Sequence, residues 1–592
     1  MLAFLIRNAW FANDDFQNLI EASQGGLTLD YLLTPTVKTR FAPGHRFVDW
    51  VVLEWPGNQW IGVVILTAVF LALATFFCAM LVREMTGSAA VALIAAALLG
   101  TWVGWVRVGS WWTAAAHLLP VTAFSIAALW TIVLWDKRDR QVRYLVAGSA
   151  LAALALSFSV RGVLIPIIAA IVLLLGYPQK RSITPREIGN RLARCWPPLL
   201  STGVISAVFA YIESQTLINK ANPPVTDLAA WTDLMQKWIL NGIPAMAINH
   251  RPFTELEALT LVAGLAVLIG LMVGTIRGSR SAWLWASIFA LIAFFGAQVG
   301  WGRINYLGSL IALDARFREG DILAACVLIP LAWASAGRPS PETTRQRLLV
   351  GALAITAALI WATGFITGAH AILTAPQPSA QNPGVVPLRV FTKMKQTLLP
   401  ALAADRNATI VNTERPKGFL LGAKINADFS TAGIISTLLP EARISFWQPT
   451  GTPILIEDDG TARRLEIASS RKAGRGWPLC FTTEPESKWL GPGASGTLFE
   501  LPREGIGDAR LLTVRFKETK RPGQVAVTFL PKDAEGLPAL TTAVGRERRG
   551  LRIPVPPNAN AVSIGAWGGL ATCVSGASVA TVRGRARSPD RP

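Results

Sequence analysis

Over its first two thirds the chain alternates long apolar runs with short basic segments, and then its character changes. Apolar windows of membrane-spanning length, about 20 residues as helix, fall at 59–82, 88–108, 112–135, 257–276, 281–299, 321–337 and 348–368, with another at 197–213. The stretch 144–177 is too long for one span and divides around "SFSVRG" into two short passes, with Arg161 at the bend. Loop charge tests the count. Arg83, Lys137, Arg138, Arg140 and Arg143 fall on the same side as the basic residues of 180–194, 277–280 and 338–347 only if 144–177 passes twice. By the positive-inside rule that side is cytoplasmic. Ten spans follow, with 7–58, 214–256, 300–320 and the tail after 369 on the outer face. "MLAFLI" at the start is apolar but far too short to span. The reading favours a start codon placed late, with one helix upstream, because a first loop this rich in Trp and Phe should be pinned at the interface. The basic n-region and cleavage site of a signal peptide are absent.

After residue 369 a Pro-rich linker, 369–387, contains "TAPQPSAQNPGVVP". Residues 388–470 read as a small α/β region: helical spacing over 388–404, then short strands at "ATIVN", "ARISFW" and "PILIE", with "DDG" as a turn. From 471 to 592 short alternating strands such as "LLTVRF", "QVAVTFL", "LRIPVP" and "NAVSIGAW" predict a β-sandwich.

Composition narrows the class. With 52% hydrophobic and 16% charged residues and 22 Trp, the chain reads as a polytopic α-helical membrane protein (1–368) followed by a soluble α/β plus β-sandwich extracytoplasmic domain, held in the cell membrane. The net charge of +19 does not point to nucleic acid, because most basic residues sit in short loops that would face anionic lipid. Of five cysteines, Cys78, Cys195 and Cys326 lie in or beside apolar spans, and no CxxC or zinc spacing occurs. Cys480 and Cys573 bracket the β-rich tail. On the outer face a disulfide between them is the leading reading, with two buried thiols as the alternative.

Candidate chemistry gathers on the outer loops. In "NAWFANDDFQNLIEA" a carboxylate beside Trp10, Phe11 and Phe16 would be partly desolvated, raising its basicity toward that of a general base. The structural reading of the same residues is a cap, Asn13 or Asp14 heading a short helix. "TRFAPGHRFVDW" supplies Arg40, His45 and Arg46, with Pro43-Gly44 as a turn; "LIALDARFREGD" supplies Asp314, Arg316, Arg318 and Asp321. Acids and cations on one face suit transfer of a sugar from a phosphate: the acid takes the acceptor's proton and cations steady the departing phosphate. Structural roles stand beside each: Arg161 snorkelling to head groups, Arg316 pairing with Asp314, His45 orienting the turn. His117 and His250 read as structural.

The order of "DDF" in the first outer loop, "LTLDYLLTPTVKTRFAPGHRF", alternating spans, a late "DARF" and a β-rich outer tail resembles the GT-C superfamily of integral membrane glycosyltransferases, in particular actinobacterial members with a soluble C-terminal domain. The resemblance covers about residues 8–368. It implies a polyprenyl-phosphate sugar donor and a cell-envelope glycan or lipid acceptor. By position it implies Asp14 as base, Asp15 as its partner and Arg316 as a contact to the lipid phosphate, with Arg161 and His45 as further candidates for that phosphate. Phe317 departs from the Tyr expected there. A divalent cation is left open: paired carboxylates such as Asp14 and Asp15 suit a hard ion, whereas a monophosphate donor does not require one.

Two other classes compete. A transporter or flippase should show internal repeats and broken helices with buried ions at mid-membrane; no repeat is evident, and the notable charges lie at span ends. A non-catalytic membrane protein whose β domain holds cell-wall glycan is the third. Phosphate-loop, HExxH and GxSxG motifs are absent. The topology makes a direct prediction. Single cysteines at Asp139 and Gly460 should be protected from and open to an impermeant thiol reagent, respectively, and the reverse pattern would overturn the outer-face assignment.

Overall fold

Side-chain caps set where two of the long apolar helices begin. Asn58 accepts from the Trp60 N–H at the head of Gln59–Thr86, which closes on Gly87 at φ 66. Thr184 accepts from Glu187 ahead of Pro185–Ser214. Each cap satisfies a backbone donor that the first turn leaves open, and Gly takes the left-handed closing position without a Cβ penalty. The structure, a computed structural model, describes the chain apart from residues 8, 12–13, 34–40, 177–181, 216–226, 251–257, 302–303, 305–307, 337–343, 375–384, 406, 412–430, 440–450, 474–478, 483–495, 502–508, 522, 532–539, 545–549, 556–558, 568–570 and 585–592. It divides into two units: Met1–Ala9 with Gly25–Asn382, and Trp10–Gln24 with Pro383–Pro592.

The chain begins with α1 (Leu2–Ile6), α2 (Asp14–Gly25), α3 (Leu29–Leu33), α4 (Pro43–Leu53), α5 (Gln59–Thr86), α6 (Ala89–Gly100), α7 (Gly104–Gly109), α8 (Trp112–Lys137) and α9 (Val142–Phe158). A 3-10 turn, Val160–Leu164, leads into α10 (Ile165–Leu175) and α11 (Pro185–Ser214). Next come α12 (Leu228–Gln236), a π-helical turn Lys237–Gly242 and α13 (Ile243–Ala247), then α14 (Ala258–Thr275) and α15 (Ser279–Trp301). Two 3-10 turns, Ser309–Leu313 and Ala315–Arg318, precede α16 (Glu319–Ser335) and α17 (Thr344–Thr374).

Among the described residues five helices are long and apolar enough to cross a membrane: α5, α8, α11, α15 and the Ile355–Leu373 part of α17. α6, α9, α10 with its 3-10 lead, and α14 are apolar but shorter. α8 is buried on nearly every side, which an all-round apolar helix requires, and it forms the centre of the first unit.

The window 88–108 does not hold the single helix expected of it. α6 ends at Gly100 and α7 restarts at Gly104, and Asn249 takes up the backbone between them. Its Oδ1 accepts from Val103 N at 2.8 Å and its Nδ2 donates to Thr101 O at 2.9 Å. Non-helical backbone at membrane depth survives only where protein satisfies it. Asn249 is fully buried at φ 57, a conformation Asn adopts more readily than most residues. Pro43-Gly44 also departs from expectation. It opens α4 rather than forming a turn, since Pro at the first helical positions loses no hydrogen bond.

The second unit joins α2 to α18 (Val385–Ala404), α19 (Thr431–Leu438) and two sheets. Phe16, Leu19 and Ile20 of α2 are buried, and Trp10 stacks on Phe391 of α18 with centroids 4.8 Å apart. One sheet orders its strands as β1 (Thr409–Ile410), β2 (Pro453–Ile456), β3 (Ala462–Ala473), β11 (Ala571–Gly584), β6 (Ala509–Arg521) and β9 (Gly550–Val555), with β4 (Leu479–Thr482) also on β11. The other orders β5 (Gly496–Glu500), β10 (Ala559–Trp567), β7 (Gly523–Pro531) and β8 (Leu540–Val544). Val525, Val527 and Phe529 of β7 and Val562 and Ile564 of β10 are buried at alternate positions, giving that sheet an apolar face.

β3 alters the expected division at 470/471. It pairs with β2 on one side and β11 on the other, so one sheet spans both regions. "ARISFW" lies outside the described residues. At the "DDG" turn, Lys393 and Thr461 beside Asp459 hold its carboxyl well below the usual carboxylate range, tying α18 to the β2–β3 hairpin. Cys480 and Cys573 face each other across β4 and β11 and are joined by a disulfide.

The Asn249 brace is testable. Asn249→Ala strands the buried Val103 N–H, which costs about 1–3 kcal/mol. The variant should unfold at lower temperature than a His250→Gln control; equal melting would refute the brace.

Candidate functional site

The late segment "LIALDARFREGD" is built around a cap. Asp314 Oδ1 accepts from the Arg316 N–H at 3.1 Å and so starts the 3-10 turn Ala315–Arg318. That turn sends alternate arginines to different places. Arg318 points inward, donating to Asp321 at 3.1 Å, Trp238 O at 2.6 Å and Ala312 O at 3.2 Å. The π-helical turn Lys237–Gly242 wraps it, and a Cβ on Gly242 would lie 1.7 Å from Arg318 Nη2. Only glycine leaves room there. Arg318 and Asp321 are fully buried and mutually compensated, which marks a clamp.

Arg316 turns to Asp314 instead, Nε 2.8 Å from Oδ2, and Arg107 of α7 reaches the other oxygen, Nε 3.6 Å from Oδ1. The Trp111 ring lies 4.1 Å from the Arg316 guanidinium and 5.7 Å from that of Arg107, within cation–π range. Arg161, on the turn after α9, pairs with Glu319 and lies 5.5 Å from the Phe317 ring, which also carries Arg316 at 4.5 Å. Three guanidiniums thus face two carboxylates among the described residues. Arg107 is 3% exposed, yet neither of its Nη nitrogens meets an acceptor among the described residues; nor does the buried Trp111 Nε1. Buried donors without acceptors are costly. Among the described residues the cluster has one guanidinium more than it has carboxylates, and it holds an unused acceptor, Glu319 Oε2, as well as the unused donors of Arg107 and Trp111. Beside it, Thr122, Ser125, Leu164, Phe295 and Leu323 line a groove that also touches Arg161 and Glu319.

The adjacent tryptophan belongs to a second group. Trp112 Nε1 donates to Asp49 Oδ1 at 2.6 Å, and Asp49 Oδ2 lies 3.3 Å from His45 Nε2, four residues back on α4. The ring of His117 of α8 lies 3.9 Å from that of His45, tilted by 55°, and its Nδ1 is 2.6 Å from Phe158 O.

The structure brings Arg161 and Arg316 to one cluster, both beside Phe317. His45 belongs to the neighbouring group, with a carboxylate as its partner. Arg46 is buried against Tyr31, its guanidinium 4.7 Å from that ring. Asp14 and Asp15 lie in the second unit, where Asp15 is fully buried and Phe11 packs edge-on to Trp10 and Phe16. Asn13, Arg40 and the Asp14 side chain fall outside the described residues. Sequence reasoning missed Arg107, Asp49, Trp111, Trp112 and Glu319. A signal for Arg107 existed: an arginine inside an apolar window marks function by default. Among the described residues no group of three or more His, Cys, Asp or Glu side chains could hold a metal ion. The sequence matches no protein-family model and no curated protein.

The clamp and the cluster should respond differently to loss of charge. Arg318→Met leaves Asp321 buried and uncompensated, a cost of about 3–5 kcal/mol. Arg107→Met leaves Asp314 paired with Arg316 and should stay within about 1 kcal/mol of the parent. Thermal unfolding separates them, and an Arg107→Met loss as large as that of Arg318→Met would make Arg107 structural.

Proposed function

We propose that the chain is a membrane glycosyltransferase of the GT-C type, moving a sugar from a polyprenyl-phosphate donor to a cell-envelope acceptor on the outer face of the cell membrane. One observation supports the reading: among the described residues, buried guanidiniums outnumber the carboxylates they face and the Arg107 Nη donors meet no acceptor, in a unit containing helices apolar enough to span a bilayer. Such a site suits the phosphate of a lipid-linked donor, and planar guanidiniums favour that group over a point-charge match. The groove beside Arg161 suits the hydrocarbon chain. His45 is left out of the phosphate set, since its ring is engaged with Asp49 and His117.

In this reading Asp14 takes the acceptor hydroxyl's proton. The oxygen attacks the anomeric carbon and the C–O bond to phosphate breaks, with inversion, since one displacement needs one base. Arg316, Arg107 and Arg161 stabilise the growing charge on the leaving phosphate. Asp15 supports the base; a divalent ion on the acidic pair stays an open part of the proposal. The ten-span topology and a sandwich-like outer domain belong to the same reading.

The test is transfer from a polyprenyl-phosphate sugar in membranes carrying the chain. Asp14→Asn keeps helix-capping ability but cannot accept a proton, so transfer should fall at least about 100-fold. Arg316→Gln should raise the donor KM, with partial rescue by Arg316→Lys. Near-normal transfer by Asp14→Asn would remove the base from the proposal.

A further inference from the structure

One buried acceptor in the charged region lacks a donor. Glu319 is the first residue of α16 and is 5% exposed. Its Oε1 takes the Arg161 guanidinium, whereas its Oε2 meets no hydrogen-bond donor among the described residues. A buried carboxylate oxygen left in that state is costly, so the position calls for an N–H or O–H from a ligand. Glu319 lines the groove between α8, α10, α15 and α16, together with Arg161, Thr122 and Ser125. Leu164, Ile165, Ile168, Phe295 and Leu323 form its apolar wall. Phe295 sits against Gly320, where an added Cβ would lie 2.3 Å from the ring, so α15 and α16 pack closely beside the carboxylate.

The polar groups of the groove decide what can fill it. Thr122 donates its hydroxyl proton to Leu118 O at 2.7 Å, which leaves that oxygen as an acceptor, and Arg161 pairs with Glu319. A hydrocarbon chain suits the wall but offers Glu319 nothing. A fully ionised phosphate offers only acceptors. An ammonium would donate, but it adds a cation where, among the described residues, guanidiniums already outnumber the carboxylates they face. A neutral hydroxyl donates without adding charge. Position narrows the choice further. The Phe317 ring carries Arg161 at 5.5 Å and Arg316 at 4.5 Å, so a single aromatic ring lies between the partner of Glu319 and the partner of Asp314. A few polar groups set in an apolar wall are the ordinary make-up of a small-molecule site.

We propose that Glu319 is a specificity-determining residue whose Oε2 accepts a hydrogen bond from a hydroxyl of the sugar on the lipid-linked donor, while the arginine cluster holds the donor's phosphate. The inference rests on the transferase reading and names the part of the donor that this end of the groove recognises. The hydrocarbon chain keeps the apolar part. A site built to hydrogen-bond a substrate hydroxyl rejects the analogue lacking it, because the buried oxygen is then left without a donor.

Calorimetric titration of the full chain in lipid nanodiscs tests it. The probes are geranyl monophosphate, its mannosyl, glucosyl, galactosyl, ribosyl and arabinosyl esters, and geranyl phosphoethanolamine. At least one sugar ester should bind about 10-fold or more tighter than the monophosphate. In Glu319→Gln that advantage should shrink to about threefold or less, because glutamine keeps one oxygen for Arg161 and turns an NH₂ donor toward the sugar hydroxyl. Monophosphate binding by the variant should be no weaker than the parent's. Should the variant fail to fold, monodeoxy forms of the preferred ester titrated into the parent chain decide the matter, and one of them should lose the whole advantage. No sugar advantage, an advantage that survives Glu319→Gln or every deoxygenation, or tightest binding by the ethanolamine ester would overturn the proposal. Failure of the monophosphate and of all its esters to bind is a different result: it removes the phosphate site, the transferase reading and this subsite together.

Discussion

A carboxylate shared by two guanidiniums sets the terms for the charged end of the helical unit. Asp314 caps the turn that carries Arg316, pairs with Arg316, and meets Arg107 arriving from a different helix. Two elements distant in the chain, the turn Ala315–Arg318 and α7, are brought to one point by a single side chain. Its two oxygens cannot satisfy both guanidiniums fully, since each arginine brings five N–H donors in a fixed fork. The surplus is what makes the cluster chemically open rather than closed. Arg318, two residues further on, and Asp321 show a charge-balanced alternative: one cation, one anion and two backbone carbonyls, all buried.

The broken window 88–108 is the structural condition for this arrangement. Had α6 continued, Arg107 would have been placed by an unbroken helix; the break braced by Asn249 lets a short helix restart and carry Arg107 to Asp314. Trp111 and Trp112 follow at once, one serving the arginines and the other Asp49. Two neighbouring side chains in "VGSWW" thereby contact the arginine cluster and Asp49, respectively.

Much of this was legible in the sequence, for definable reasons. The apolar windows marked the helices, and "DARFREGD" stood out because charge next to an apolar run is expensive to keep. Arg161 was visible at the break in 144–177, which the structure resolves as a 3-10 turn between two helices. Arg107 was hidden by the averaging that makes hydropathy useful: one cation disappears in a window of apolar neighbours. Asp49 was hidden by a local misreading. Taking Pro43-Gly44 as a turn concealed the helix on which His45 and Asp49 stand four residues apart. The sheet order was out of reach, because β3 pairs with β11 over about a hundred residues and nothing local encodes that partner.

The proposed function requires that the buried guanidinium donors around Asp314 bind a phosphate. Calorimetric titration of the purified chain with a short-chain prenyl monophosphate and with the matching prenyl alcohol tests it directly. The phosphate should bind and the alcohol should not, and Arg107→Met should weaken phosphate binding at least ~10-fold, the loss of about one charge-assisted hydrogen bond. Equal binding of alcohol and phosphate, or an affinity indifferent to Arg107, would contradict the account.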